Sequence, residues 1–493
     1  MKTRSFLITA AMLLVLNLTL RAQNSQTLYH MNLPQAHLLN PAYKPSGKFY
    51  IGFPGMTDVN INVTNNFLNF SDVFLKGLQP NDSVLSFLYS DFDVDGFIDK
   101  LGRYNSVEPR ASVQLFGIGF SAGKDFYGYI DITEKIDGSL VFPKELFEMA
   151  FRGNDAFVGS AVDLSSFDME MKYYRDVSLG FSKNITPKLR IGVQGKMLFG
   201  IASMSMDTKT LKVLANSNDL HSVETDVTLN VSGPVRFIAD EENHVDDLES
   251  FDDRFDDAGE VMRELSGTKN MGLGINLGAE YQVTDKIAVS ASVTDLGYIN
   301  WKSDLTGVYS KGTIEFSNYN IEDVYNGDIT FEEFAEALAD TLSNALMVCN
   351  DCRPFKTTLP VGVTLAGKYD ISDKFSVGLV SYSRIREKQL KEALTISGNL
   401  NLGNMFSTSL SYTACNYSYN NIGAGLALRL GFFQFYVIAD RIPLKWSEVE
   451  KTSGSFRLPD NWNTFNARFG INLTFGNRIK KGGDSEILPE GEN

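Results

Sequence analysis

Three cysteines, four histidines and three tryptophans in 493 residues leave little from which to build a metal centre or a disulfide scaffold. The histidines, His30, His37, His221 and His244, are scattered and show neither H-x-x-x-H nor H-E-x-x-H spacing. After the N terminus no run approaches about 18 uninterrupted apolar residues, which excludes a helical membrane protein. Positive charge is also short: 45 Lys and Arg stand against 60 Asp and Glu, a net charge of −15. Nucleic acid is thereby excluded as a partner, because its binding rests on neutralising phosphates with basic side chains. No Pro-rich or Ser-rich linker divides the chain into the about three domains that its length would otherwise suggest.

What is present begins with a leader. Lys2 and Arg4 precede an apolar run over residues 6–20, and Arg21-Ala22-Gln23 offers a small residue for cleavage. Residues 1–22 therefore read as a secretory signal, with no Cys near the cut to carry a lipid. Behind it, three stretches spell the same hairpin: residues 180–192, 278–290 and 366–378. In each, an alternating strand meets Thr or Ser, then Pro or Asp, then Lys, and a second alternating strand follows at once. Such a tight turn joins adjacent antiparallel strands.

The strand pattern recurs along the chain. In residues 189–197, Ile191, Val193 and Met197 fall on one face, and Arg190, Gly192, Gln194 and Lys196 on the other. Similar alternation marks residues 58–64, 126–133, 223–231, 271–281, 287–294, 359–369, 375–385, 393–402, 405–413, 422–430, 432–439 and 465–475. With weaker segments the count comes to about fourteen strands. The mean hydropathy of −0.12 suits a wall half facing lipid and half facing a polar lumen. The expected fold is all-β: a transmembrane antiparallel barrel over residues 23–476, with a plug-like or helical N-terminal segment within 23–110. Long loops carrying short helices complete it, and residues 477–493 read as a polar tail. One loop helix is expected over residues 330–346, with Thr330 and Glu333 as a capping box. A second amphipathic pattern places Phe251, Phe255, Met262 and Leu265 on one face of an acidic stretch.

Leu39-Asn-Pro-Ala-Tyr43, residues 142–154, residues 174–181 and Asp295-Leu-Gly-Tyr-Ile-Asn-Trp301 together resemble an uncharacterised outer-membrane barrel family of Bacteroidota. That family is similar in style to the FadL long-chain fatty acid transporters and to the PorV and PorQ barrels of the type nine secretion system. The resemblance spans almost the whole mature chain. It implies an outer-membrane location among lipid and lipopolysaccharide, and one of two roles. The first is binding or passage of a small hydrophobic molecule, by a plug and a lateral opening; the second is service in a surface protein complex. No substrate-binding residue of either group maps onto this chain, and Asn40-Pro41-Ala42 also reads as an ordinary turn starter.

Motifs with chemical content are few. Gly119-Phe-Ser-Ala-Gly123 fits the serine hydrolase elbow, but that elbow needs a following helix, and here a second strand follows. Asp91, Asp93, Asp95 and Asp99, with Gly96, resemble the front of a calcium loop. Gly102 stands where the bidentate acid belongs, so an acidic turn, or the start of an amphipathic helix through Phe97, Ile98 and Leu101, is the preferred reading. Cys349 and Cys352 form a C-x-x-C that reads as a local disulfide in an exported protein. No catalytic constellation is found, and neither an enzyme nor a cofactor is expected.

Overall fold

The computed structural model describes residues 26–67, 93–152, 157–215, 220–249, 259, 267–317, 345–349, 352–386, 389–403, 405–415, 418–442, 446–451, 454–459 and 464–477. The leader 1–22 and tail residues 478–493 lie outside them, as do Asp91, the helix expected over 330–346 apart from its last two residues, and the apolar positions 251–265.

The wall is built from β1 (Gly47–Gly52), β2 (Asp58–Asn65), β3 (Tyr104–Ala122), β4 (Phe126–Pro143), β5 (Asp168–Asn184), β6 (Leu189–Ala215), β7 (Asn270–Thr284), β8 (Ile287–Trp301), β9 (Val361–Asp370), β10 (Phe375–Arg386), β11 (Gln389–Leu402), β12 (Phe406–Cys415), β13 (Ser418–Leu430), β14 (Phe433–Ala439) and β15 (Thr464–Asn477). Both β1 and β2 lie between β15 and β3 and share one wall position. From β3 to β15 each strand pairs antiparallel with the next. The ring closes as a 14-strand antiparallel barrel, the all-β architecture and strand number that the alternation implies. Closure satisfies the wall's backbone polar groups within the ring, which is the condition for living in hydrocarbon.

The side chains are inverted relative to a water-soluble protein. Leu410 is 63% exposed, whereas its neighbours Ser409 and Ser411 are 1% and 3% exposed. The same rule puts Leu179, Met197, Leu273, Leu379 and Ile396 outside and Gln194, Asn276, Thr395 and Asn399 inside. Six tight turns lie at one end of the barrel, together with the start of β1 and the end of β15. The three recurrent hairpins are among them, and their hydroxyl residue explains the recurrence. Thr186, Thr284 and Ser372 each accept from the backbone N–H groups two and three residues on, at 3.0–3.4 Å. A short side chain thus closes each turn locally. Exposed Phe120, Phe181, Tyr281, Tyr369, Phe432 and Phe475 ring this end, the aromatic girdle expected where lipid meets water.

The opposite end carries the long connections. Two short helices there, α1 (Val94–Lys100) and α2 (Lys144–Arg152), bury Phe97, Ile98 and Leu101 against Phe67, Phe147 and Phe151. β6 runs 27 residues, far beyond the about 9–11 that cross a bilayer. Its outer part pairs with residues 220–232, which pair in turn with 305–317. Residues 223–231, expected in the wall, therefore belong to a sheet projecting from it. Residues 236–239 and, within the acidic stretch, residues 245–249 form a small hairpin.

Candidate functional site

Inside the ring lies the N-terminal segment, residues 26–46. Two 3-10 turns, Gln26–His30 and Pro34–Leu38, shape it, the second begun by a proline whose missing N–H costs nothing at a helix start. Leu28, Met31, Leu33 and Leu39 pack with Val380, Ala427, Tyr436 and Ile438 in an apolar cluster within the otherwise polar lumen. Its polar groups find partners on the wall. Thr27 donates to Asp440 from its backbone N–H at 3.0 Å and its hydroxyl at 2.5 Å, and its Oγ1 lies 2.7 Å from the Ser411 hydroxyl. Gln35 exchanges hydrogen bonds with Asn472 at 2.7 and 3.0 Å. Asn40 accepts from Ala42 N–H at 2.9 Å and donates to Tyr29 Oη at 2.9 Å, so Asn40-Pro41-Ala42 is both a local turn and a lumenal anchor.

His37 is held from two sides. Its Nδ1 lies 2.6 Å from the Pro34 carbonyl and its Nε2 2.8 Å from Asp131 Oδ2. Both neighbours are acceptors, so the ring is held on both of its nitrogens. Gln114 donates to the same carboxylate at 2.6 Å. On the segment's other turn, His30 is buried, and desolvation together with nearby Lys368 lowers its pKa to about 4.

Nearer the long loops the lumen is crossed by ion pairs. Arg384 and Arg386 of β10 both reach Asp137 of β4; Arg386 also meets Glu170 of β5 at 2.6 Å; and Lys391 of β11 meets Glu108 of β3. These strands stand on opposite sides of the ring, so the bridges span it. Lys172 adds a bond to Glu170 at 2.6 Å. Alongside, Lys196 bridges Asp295 at 2.6 Å and Asp176 at 3.1 Å. Asp295 occupies a bulge at φ 59°, an uncommon conformation for a non-glycine residue, and its N–H donates to Asn276 at 2.6 Å.

Among the described residues the wall strands break at two places: between residues 355–358 and β9, which both pair with β8, and between β1 and β2, where the turn stays bonded to both neighbours through Phe53 N–H to the Ile471 carbonyl at 3.0 Å, Ile471 N–H to the Met56 carbonyl at 2.8 Å and Gly55 N–H to the Leu115 carbonyl at 3.1 Å. Met56 N–H donates to the Phe53 carbonyl at 2.9 Å, Pro54 takes the second position, and Gly55 has φ 72°. This is a type II turn, and its third position requires glycine. The loop swings outward, exposing Phe53 and Met56, while β3 carries a bulge opposite at Gln114/Phe116. Directly inside, the Thr57 carbonyl accepts from Tyr436 Oη at 3.0 Å and Gln35 Nε2 at 3.4 Å. Behind this point stand Gln35 of the segment and Tyr436 of the wall, whose hydroxyl also donates to Asp58 at 2.5 Å, itself paired with Arg468 at 2.7 Å. Pro54-Gly55 was the available sequence signal, a turn dipeptide inside a β pattern.

The other residues singled out in the sequence lie elsewhere. Asp93 caps α1 by accepting from Gly96 N–H at 2.9 Å, and Asp95 pairs with Arg152 at 2.8 Å. Among the described residues no three His, Cys, Asp or Glu side chains are grouped to hold a metal ion. Gly119 to Ala122 finish β3 and are followed by a tight turn and β4. Cys349 and Cys352 have Cα atoms 5.4 Å apart, within the span of a disulfide.

A family model described as "Family of unknown function (DUF5723)" matches residues 41–440. No curated protein matches the chain. Among solved structures, the chain is similar to a mutant of the monoaromatic hydrocarbon channel TodX, at 11% identity and TM-score 0.41, covering 93% of this chain and 98% of that one. It is similar to the toluene transporter TbuX of Ralstonia pickettii at 11% identity and TM-score 0.38, covering 90% and 95%. A FadL homologue of Pseudomonas aeruginosa follows at 10% identity and TM-score 0.39, covering 93% and 97%.

Proposed function

We propose that this chain, which belongs to that family of unknown function, is an exported outer-membrane barrel that binds or passes a small hydrophobic molecule. The observation that carries this reading is the apolar face of a segment docked in the lumen without strand pairing, beside the exposed turn at residues 53–57 where the wall strand breaks. A molecule dissolved in the hydrocarbon would enter beside the outward loop, displace part of the packing around Tyr436, and occupy the apolar surface of Leu28, Met31 and Leu33. The ion pairs above would keep water and polar solutes from following.

The test is a lock. Thr27 Oγ1 and Ser411 Oγ are 2.7 Å apart, so Thr27→Cys with Ser411→Cys, in a Cys415→Ser background, should form a disulfide that ties the segment to β12. Uptake of a fluorescent hydrocarbon into proteoliposomes is expected to stop on oxidation and return on reduction. Equal uptake in both states overturns the reading. The second reading, a non-transporting barrel serving a surface complex, is favoured by the sheet that β6 and residues 220–232 and 305–317 carry beyond the wall. Stoichiometric partners on gentle extraction, with no probe uptake, would select it.

A further inference from the structure

The N-terminal segment meets the wall at glycines. Gly192, Gly278, Gly378 and Gly425 lie on the lumenal face of β6, β7, β10 and β13, and a methyl group on any of them would stand within 3.0 Å of the segment. At Gly192 it would meet the Pro41 carbonyl and the Ala42 nitrogen, at Gly278 the Asn40 side-chain oxygen, at Gly378 the His30 ring, and at Gly425 the Met31 sulfur. Separations this short are overlap, and at Gly192 only backbone is there to give way. Glycines on the outer face differ: Gly195 of β6 and Gly367 of β9 have open space where a side chain would stand. We propose that the four lumenal glycines are a socket that admits the segment in one register, so that the wall selects its own stopper by shape. The hydrogen bonds of Thr27, Gln35 and His37 then secure a fit that the missing side chains define. Asn40 to Ala42 rest on β6 and β7, and His30 and Met31 on β10 and β13, so a segment shifted along the wall loses both fits together.

The test adds one methyl at a time to the full chain in lipid nanodiscs. Docking is read as the rate at which chymotrypsin cuts within residues 26–46, which follows the open fraction of the segment, and the wall is read by its urea midpoint. Gly192→Ala and Gly278→Ala are each expected to speed cleavage about tenfold or more with the midpoint unchanged, whereas Gly195→Ala and Gly367→Ala leave both as they were. A swap tests the contact itself: in a His30→Ala background, which returns the volume, Gly378→Ala should speed cleavage less than about twofold. Equal rates for lumenal and outer substitutions overturn the proposal, as does a midpoint that Gly192→Ala lowers and Gly195→Ala does not. So does a Gly378→Ala effect as large in the His30→Ala background as in the unaltered chain. The socket acts on docking, and uptake is not read, so loss of the socket and loss of passage are separate results.

Discussion

The lumen is closed twice, and the two closures are built from different forces. Toward the tight turns, a segment of the chain fills the ring with Leu28, Met31, Leu33 and Leu39, and its polar anchors reach several wall strands. Toward the long loops, among the described residues, Arg384, Arg386 and Lys391 bridge the ring to carboxylates on the other side. The first closure can leave without disturbing the wall, because it contributes no ladder hydrogen bonds. The second cannot, because its members are wall residues whose separation would bury unpaired charge. Under the proposed function, an apolar stopper beside an ionic screen would serve a route that enters from the side and leaves toward the tight turns.

The largest effect should come from removing both. Deleting residues 26–43 alone leaves the ion pairs in place, and Arg384→Gln with Arg386→Gln alone leaves the segment. Single-channel conductance in planar bilayers is expected to rise about tenfold or more only when the changes are combined, a strongly non-additive outcome. Full opening by the deletion alone would show that the ionic level is no barrier, and the comparison would fail.

The same contrast should appear in stability. Arg386→Ala takes one of two cationic partners from Asp137 and from Glu170, which keep Arg384 and Lys172, and is expected to cost about 1–3 kcal/mol of barrel stability, read as a lower urea midpoint. Leu33→Ala opens a cavity costing about 2–4 kcal/mol, but the loss should fall on docking of the segment. Its measure is faster proteolysis near residue 33 with the urea midpoint of the barrel unchanged. If Leu33→Ala lowers that midpoint as much as Arg386→Ala does, the segment is part of the fold rather than a passenger in it.

How legible each level was follows from how local its interactions are. The recurrent hairpins could be read because Thr186, Thr284 and Ser372 act on residues two and three positions away. Strand number and the inverted pattern could be read because alternation is a property of each strand alone. Residues 223–231 were misplaced for the same reason, since alternation is the same in a wall and in a sheet projecting from it. The ionic level was not legible: Arg386 meets Glu170 across 216 residues of sequence, and closing the ring is what brings them together. The break between β1 and β2 left Pro54-Gly55 as a local trace, but its meaning depends on the segment behind it.

The smallest effect sharpens the comparison within the segment itself, through its two histidines. His37 is held on both ring nitrogens, by the Pro34 carbonyl at 2.6 Å and Asp131 at 2.8 Å. His30 is buried, with Tyr29 edge-on at 5.2 Å and Lys368 and Asp370 as the charged groups nearest it, and its pKa is lowered from 6.5 to about 4. A histidine whose folded-state pKa is lowered favours the docked form while neutral. Its contribution is complete above about pH 6.5 and is lost as the pH falls toward 4. Between pH 7 and pH 5.5 docking should therefore weaken roughly tenfold, about 1.4 kcal/mol, and proteolysis of the segment should quicken accordingly. His30→Leu should flatten that dependence, whereas His37→Leu removes the contacts to Pro34 and Asp131 and should weaken docking at pH 7. A slope that survives His30→Leu would move the sensitivity to the wall, and the segment would no longer be the part of the lumen that acid releases.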